Sequence, residues 1–186
     1  MDLLQRLSAL PESSFYSENI LFRRISSDDD LAVATDELTL PPEQQELVNP
    51  IGFSLGRAYL FPDDNVPYII YALDKLDASK ELPIGFIMLR VTYKTEDTRS
   101  WNRFVTHSPR TNFSYYIIPA FQGRGYGIAA ARLAIDLLTK VFPEYPIELT
   151  TEKVNVKAQR LYEKLGFRKT DELDGDDYVF LYNVKQ

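Results

Sequence analysis

Three alternate glycines stand in the run Phe121-Gln122-Gly123-Arg124-Gly125-Tyr126-Gly127. Glycine has no Cβ, so it accepts positive φ and lets a ligand approach the backbone closely. Ahead of the run, Tyr115, Tyr116, Ile117 and Ile118 are aromatic and β-branched residues that favour an extended strand, and Pro119 helps to end it. Behind it, Ile128, Ala131, Ile135, Leu138 and Phe142 recur at helical spacing. The glycines therefore occupy a strand-to-helix turn, where backbone N–H groups at the positive end of a helix make a phosphate site. Arg124 adds a cation beside it. The chemistry this points to is the holding of a phosphorylated cofactor.

Two phosphate motifs can be weighed against the run. A Walker A loop needs Lys-Ser or Lys-Thr after its last glycine, and none follows here. Gly125-Tyr126-Gly127-Ile128-Ala129-Ala130 does satisfy G-x-G-x-x-A, the nicotinamide or flavin dinucleotide fingerprint. That fingerprint normally opens a series of strand–helix units, and too little chain follows for such a series.

The run resembles the pyrophosphate loop of the GNAT superfamily of acyl-CoA-dependent N-acetyltransferases, [RQ]-x-x-G-x-[GA], with Gln122, Gly125 and Gly127 on its fixed positions. A second block, Asn155-Val156-Lys157-Ala158-Gln159-Arg160-Leu161-Tyr162-Glu163-Lys164-Leu165-Gly166-Phe167, is similar to the family's N-x-x-A-x-x-x-Y-x-x-x-G-F segment at the expected distance downstream. The resemblance runs from about Ile20 to the C-terminus. It implies a GNAT fold of class α/β (α+β), a mixed, mostly antiparallel twisted sheet with helices on both faces. It also implies acetyl-CoA as acyl donor substrate, with no metal, and a small amine as acceptor.

The same resemblance assigns roles residue by residue. The strand before the loop and the one after the cofactor helix should splay apart to admit the thioester. The backbone of Ile117 and Ile118 would then face the pantetheine arm and N–H groups near Ile118 the developing oxyanion, while Gln122, Gly123, Arg124, Gly125, Tyr126 and Gly127 cradle the pyrophosphate. Asn155 would touch the pantetheine, although asparagine at a helix start also serves as an N-cap. Tyr162 would protonate or hydrogen-bond the departing thiolate; the competing reading is core packing beside Ala158 and Leu165. In water, proton transfer from a phenol to a thiolate is uphill by about 2 kcal/mol, a gap that a preorganised site can close.

An alkylamine is neutral in only about one molecule in 2,500 at pH 7, which costs about 4.6 kcal/mol, so a base is wanted. Some diamine-acetylating relatives place a glutamate before the glycine loop, where this chain has Phe113-Ser114-Tyr115-Tyr116. Glu148 on the neighbouring strand is the acidic substitute, set against a plain strand carboxylate, and His107 is the other candidate that titrates near neutrality. Glu43-Gln44-Gln45-Glu46-Leu47-Val48, Ser54-Leu55-Gly56-Arg57-Ala58-Tyr59 and Leu173-Asp174-Gly175-Asp176-Asp177-Tyr178-Val179 resemble segments of bacterial spermidine/spermine acetyltransferases. Glu37, Glu43 and Glu46 would then meet a polycation, or else lie on a solvated helix face. The rival to an enzyme is a non-catalytic acyl-CoA-binding module; amino-acid, antibiotic and protein N-terminal amines are the alternative acceptors.

Composition bounds these readings. The 186 residues suffice for one substantial core, so a single domain over 1–186 is expected, with 1–19 as a leader. A net charge of −6 offers no basic stripe for nucleic acid. The chain has no cysteine, hence no disulfide or acyl-thiol enzyme, and its single histidine makes a histidine zinc site unexpected. No apolar run reaches the ~20 residues of a membrane span and no secretory signal opens the chain, so the expected location is cytoplasmic. A homodimer through the terminal strands would suit the family.

The elements that must position these residues can be read in order. Strands are expected over Ile20–Ile25, Tyr68–Leu73, Ile84–Val91, through Ile118, and over Ile147–Thr151, with a closing pair Phe167–Thr170 and Tyr178–Val184. Ser27 before three aspartates predicts a capped helix with Leu31, Ala34 and Leu38 on its apolar face. A further helical region runs from Glu43 towards Tyr59, interrupted near Pro50 and Gly52. Thr92 to Arg110, with Trp101 and His107, reads as a polar excursion.

Overall fold

The computed structural model describes residues 2–17, 19–73, 81–92 and 109–182; Trp101 and His107 lie outside them. The strands are β1 (Ile20–Arg24), β2 (Asn65–Leu73), β3 (Glu81–Thr92), β4 (Arg110–Ile117), β5 (Ile147–Thr151), β6 (Arg168–Asp174) and β7 (Asp177–Tyr182). They form one sheet in the order β1-β2-β3-β4-β5-β7-β6. Every neighbouring pair is antiparallel except β4 with β5, which is parallel. The helices are α1 (Leu3–Ser8), α2 (Asp28–Ala32), α3 (Pro42–Gln45), α4 (Ile51–Leu60), α5 (Tyr126–Val141) and α6 (Val156–Lys164).

Strand alternation sends odd and even residues to opposite faces, and each face has its own core. Ile87 and Leu89 of β3, Phe113 and Ile117 of β4 and Leu149 of β5 pack with α1 and the apolar stripe of α5 (Ala130, Ala134, Leu137, Leu138). Phe86, Met88 and Tyr116 pack on the other face with Ala34, Leu38 and Ala58 of the α2–α4 segment. Helices on both faces of a mostly antiparallel sheet are the expected fold class.

The local signals mostly survive. Ser27 caps α2 by accepting from Asp30 N–H, and the Asp30 carboxylate accepts from Ser27 N–H in return, a reciprocal capping box. One expectation fails: Ala34 and Leu38 are buried, but Leu31 is 41% exposed. The helix widens into a π turn over Val33–Glu37, and that change of pitch takes the first turn out of phase with the rest. Pro50 starts α4, as the predicted interruption implied.

Two features of the sheet shape the site. Between Ile70↔Gly85 and Tyr71↔Pro83 the register slips, leaving Ile84 as a bulge in β3. Strands β4 and β5 pair at only one position, Thr111↔Ile147, whereas β3 and β4 stay in register from Gly85↔Ile117 to Thr92↔Arg110. Beyond Thr111 the two central strands diverge.

Candidate functional site

The divergence is pinned at its closed end. The Arg110 guanidinium makes a close ion pair with Glu148, joining the start of β4 to β5 next to the Thr111–Ile147 pair. Glu148 is 7% exposed. The pair braces the two strands, and a Glu148 acting as general base would work with the Arg110 cation beside it. At the open end, Gly85 lets β3 and β4 touch, since a Cβ on it would lie 2.2 Å from the Tyr116 carbonyl oxygen. The Ile118 N–H donates to the bulged Ile84 carbonyl at 2.9 Å. An antiparallel ladder alternates its bonding sides, so the Ile117 backbone turns toward the gap. Of the two backbone N–H groups, that of Ile118 is occupied and that of Ile117 faces the gap.

The glycine turn follows a single 3-10 turn, Pro119–Phe121, and leads directly into α5. Gly123 and Gly125 have φ of 74° and 87°, the left-handed region where a side chain is strained. Gly127 has no such φ; it lies within the first turn of α5, and a Cβ there would sit 3.8 Å from the Tyr115 ring. Gly125 is the N-cap of α5 and supplies no side-chain acceptor, so the first N–H groups of a sixteen-residue helix remain open to a ligand. Added Cβ atoms at Gly123 and Gly125 meet nothing within 4 Å, and both residues are exposed, leaving a space that an anion can enter. The loop thus fits a pyrophosphate group. Arg124 lies over the Phe121 ring at 5.4 Å, and the Tyr126 ring meets Phe121 edge-on at 6.2 Å.

Gln122 is held by hydrogen bonds within the protein. Its Nε2 donates to the Ile117 carbonyl at 2.7 Å and to Gln44 Oε1 at 2.8 Å, and its N–H to the Pro119 carbonyl. Its donors are engaged within the protein. It ties the glycine turn to the end of β4 and to α3.

A cavity of about 670 Å³ links these parts. It is lined by Gln122, Gly123 and Gly127, by Tyr115 and Tyr162 on one sheet face, and by Ser54 and Arg90 on the other, so it passes through the gap between β4 and β5. The Tyr162 ring packs against Phe180 at 5.4 Å and Phe167 at 5.9 Å, which supports the packing reading, and it also borders the cavity. Burial pushes its phenol up to about 12. The Tyr115 phenol is raised too, by burial and secondly by Tyr162. Asn155 Oδ1 accepts from Ala158 N–H at 3.1 Å and so caps α6, while the residue lines the cavity. Gly166, at φ 93°, follows the C-cap Leu165 and ends the helix.

The far wall is electrostatically unusual. Arg90 is 6% exposed, yet its Nε has no hydrogen-bond partner among the described residues, and neither has the buried Nε of Arg57 on α4. Burial, and secondly the Arg57 charge, bring the Arg90 guanidinium down to about 10. Glu46 lines the same cavity from an exposed position, whereas Glu37 and Glu43 are exposed and do not line it. Sequence reasoning missed Arg90, the Gln122 brace and Gly85. Only Gly85 carried a signal, a glycine inside an apolar strand pattern.

Comparison with known proteins agrees with this geometry. The model of the Acetyltransferase (GNAT) family matches residues 34–167. Spermidine N(1)-acetyltransferase of Escherichia coli (strain K12) is 41% identical over 70 residues, a match that spans 38% of each chain. Among solved structures, aminoglycoside acetyltransferase AAC(6')-Ib in complex with coenzyme A and kanamycin superposes with a TM-score of 0.63 at 22% identity, over 87% of this chain and 92% of that one. The dodecameric spermidine N-acetyltransferase of Vibrio cholerae superposes with a TM-score of 0.57 at 16% identity, over 90% of this chain and 95% of that one. At such identities the superpositions speak for the fold, but the family match covers most of the sequence together with both motif blocks: the chain belongs to the Acetyltransferase (GNAT) family.

Proposed function

We propose that the protein transfers acetyl from acetyl-CoA to an amine by direct attack in a ternary complex. The observation that carries this is the continuity of one cavity, from the uncapped glycine turn past Tyr162 and through the strand gap to a separate polar wall. The pyrophosphate would rest on the N–H groups from Gly123 to Gly127 with Arg124 beside it, and the pantetheine arm would run along the gap beside Ile117 and Asn155. The amine nitrogen attacks the thioester carbonyl; a C–N bond forms, the C–S bond breaks and the amine proton leaves to solvent in the open cavity. Ile117 N–H would meet the oxyanion, and Tyr162 would donate to the thiolate. With the phenol near 12, full proton transfer to a thiolate of ordinary basicity is uphill by about 5 kcal/mol. The same apolar surroundings raise a thiolate's basicity as well, so hydrogen-bond donation passing into proton transfer is the role that fits.

The spermidine N(1)-acetyltransferase relatives favour a polyamine or small alkylamine as acceptor, and Glu46 at the cavity is the carboxylate that would support it. A cytoplasmic location and a homodimer joined through the terminal strands, where β6 offers a sheet edge, belong to the same proposal. The test is release of CoA from acetyl-CoA, followed with DTNB across a panel of polyamines, amino acids, aminoglycosides and peptide amines, with the acetylated product identified by mass spectrometry. Turnover of an amine is expected. CoA binding without turnover of any amine would overturn it in favour of a non-catalytic acyl-CoA-binding module.

A further inference from the structure

The wall of the cavity opposite Tyr162 is built by alternation on the even-numbered face. Arg90 on β3 stands in register with Asn112 on β4, and both line the cavity together with Ser114 and the buried Ser54 of α4. A guanidinium buried to this degree normally has a carboxylate, because an uncompensated internal charge is costly. Among the described residues no carboxylate pairs with Arg90; the charge that weighs on its guanidinium is another cation, Arg57, and the cavity's buried carboxylate, Glu148, is taken by Arg110. The planar fork of arginine is suited to two-pronged pairing with carboxylate or phosphate oxygens. A buried cation, unpartnered at Nε and lining a cavity, is half of an ion pair whose other half arrives with a ligand.

We infer that the acceptor carries, besides its amine, an anionic oxygen group, a carboxylate or a phosphate, that seats on Arg90 among Ser54, Asn112 and Ser114. This rests on the acetyl-transfer reading and sets an amine that carries an anion in place of the polyamine acceptor. The donor occupies the gap and the opposite face, so the acceptor enters over the α2–α4 segment with its anion against β3 and its amine toward the thioester. The polycation favoured by the partial match to spermidine acetyltransferases would bring a second positive charge to this wall, where Arg90 and Arg57 repel it. An acceptor with an amine at one end and an anion at the other satisfies both ends.

The experiment compares matched acceptors that differ in the far group alone. ω-Amino acids of three to eight carbons are set against diamines of the same length, and O-phosphoethanolamine against ethanolamine, in the acetyl-CoA assay. The best anionic acceptor should exceed its matched partner at least about tenfold in kcat/KM. Whether the amino-acid or the phosphate arm wins identifies the source of the anion. Arg90→Met should bring the ratio close to one, and Arg90→Lys should keep part of it, since charge remains and the fork is lost. Equal use in the wild-type protein, or a preference for the diamines, overturns the inference while leaving acetyl transfer intact. Calorimetric titration of the CoA-loaded wild-type protein with hexanoate and with inorganic phosphate tests the seat without a variant. Binding of either, abolished in Arg90→Met, is expected, and binding of neither overturns it. Should no amine be acetylated, the transfer reading fails, and the titration still decides the anion seat.

Discussion

The two walls of the cavity are made in opposite ways. The donor wall is largely backbone: the uncapped start of α5, the left-handed Gly123 and Gly125, and the Ile117 edge left open where β4 departs from β5. The acceptor wall is side chains, Ser54, Arg90, Asn112 and Ser114, drawn from three elements, α4, β3 and β4. Backbone recognition suits a ligand shared by a whole family, because it survives substitution at most positions. Side-chain recognition suits a ligand particular to one protein. If that division holds, variants on the donor wall should abolish donor binding or turnover of every acceptor, and variants on the acceptor wall should re-rank acceptors.

The largest effect is expected at Tyr162. Tyr162→Phe keeps the ring that packs on Phe167 and Phe180 and removes the hydroxyl alone. Turnover should fall by about 10²–10⁴ for all acceptors alike, with CoA affinity and melting temperature almost unchanged. Unaltered kcat with chemistry rate-limiting would return Tyr162 to packing alone. The pH profile sharpens this. A phenol held up near 12 stays protonated over the assayable range, so kcat/KM should climb with pH as the amine loses its proton and show no descending limb below about pH 10. For stability the sign is that of an acid whose folded pKa is raised: its contribution is whole below about pH 10 and is lost as pH rises through about 12. Thermal melts as a function of pH measure it.

These two walls also differ in how far the sequence foretold them. The glycine turn, the α6 block and the strand segments near them are local: spacing, β-branched runs and turn residues declare themselves within a few positions, and the family resemblance rests on the same stretches. Even there, the hydrogen bonds were not legible. Gln122 matches the motif letter yet spends its amide on Ile117 and Gln44, and the Ile118 N–H is consumed by a bulge at Ile84 that pairing alone reveals. Glu148 looked available in one dimension; a strand register set by Thr111 and Ile147 delivers Arg110 to it. Arg90 was not legible at all. An arginine inside Ile84–Val91 looks like an outward-facing strand residue until the α2–α4 segment is known to cover that face.

The next largest effect is at Gly125. Saturating CoA, at about 100 times its dissociation constant, should stabilise the wild-type protein by about 2.7 kcal/mol. Gly125→Val places a β-branched residue at φ 87° and crowds the anion space, so most of that stabilisation should disappear. Gly127→Ala makes the control, because its φ is helical and its Cβ has room beside Tyr115. Differential scanning fluorimetry with and without CoA reads both. Equal shifts in wild type and Gly125→Val would remove the backbone wall from the comparison.

On the other wall, Arg90→Met should move stability in the opposite direction. Replacing a buried charge that has no carboxylate partner among the described residues by an apolar side chain of similar length removes its desolvation cost, and a gain of about 1–3 kcal/mol is expected. Chemical denaturation measures it. A loss of stability instead would mean that Arg90 is held for the fold, and the two walls would then differ less than their chemistry suggests.

The smallest effect tests the one side chain that belongs to both the fold and the donor wall. Asn155 Oδ1 satisfies the Ala158 N–H at the start of α6, the helix that presents Tyr162. Loss of such a cap costs about 1 kcal/mol, and aspartate or serine replaces it well, whereas alanine does not. If capping is its whole contribution, Asn155→Ala should lose about that much stability while Asn155→Asp and Asn155→Ser lose little, and none should alter CoA affinity. If the side-chain amide also reaches the pantetheine, Asn155→Asp should keep stability and still bind CoA less well, because the amide donor has become a carboxylate acceptor. Denaturation and calorimetry on these three variants separate the cap from the contact. The pattern expected from a residue that caps α6 and lines the cavity is the second, with stability retained and affinity reduced in Asn155→Asp.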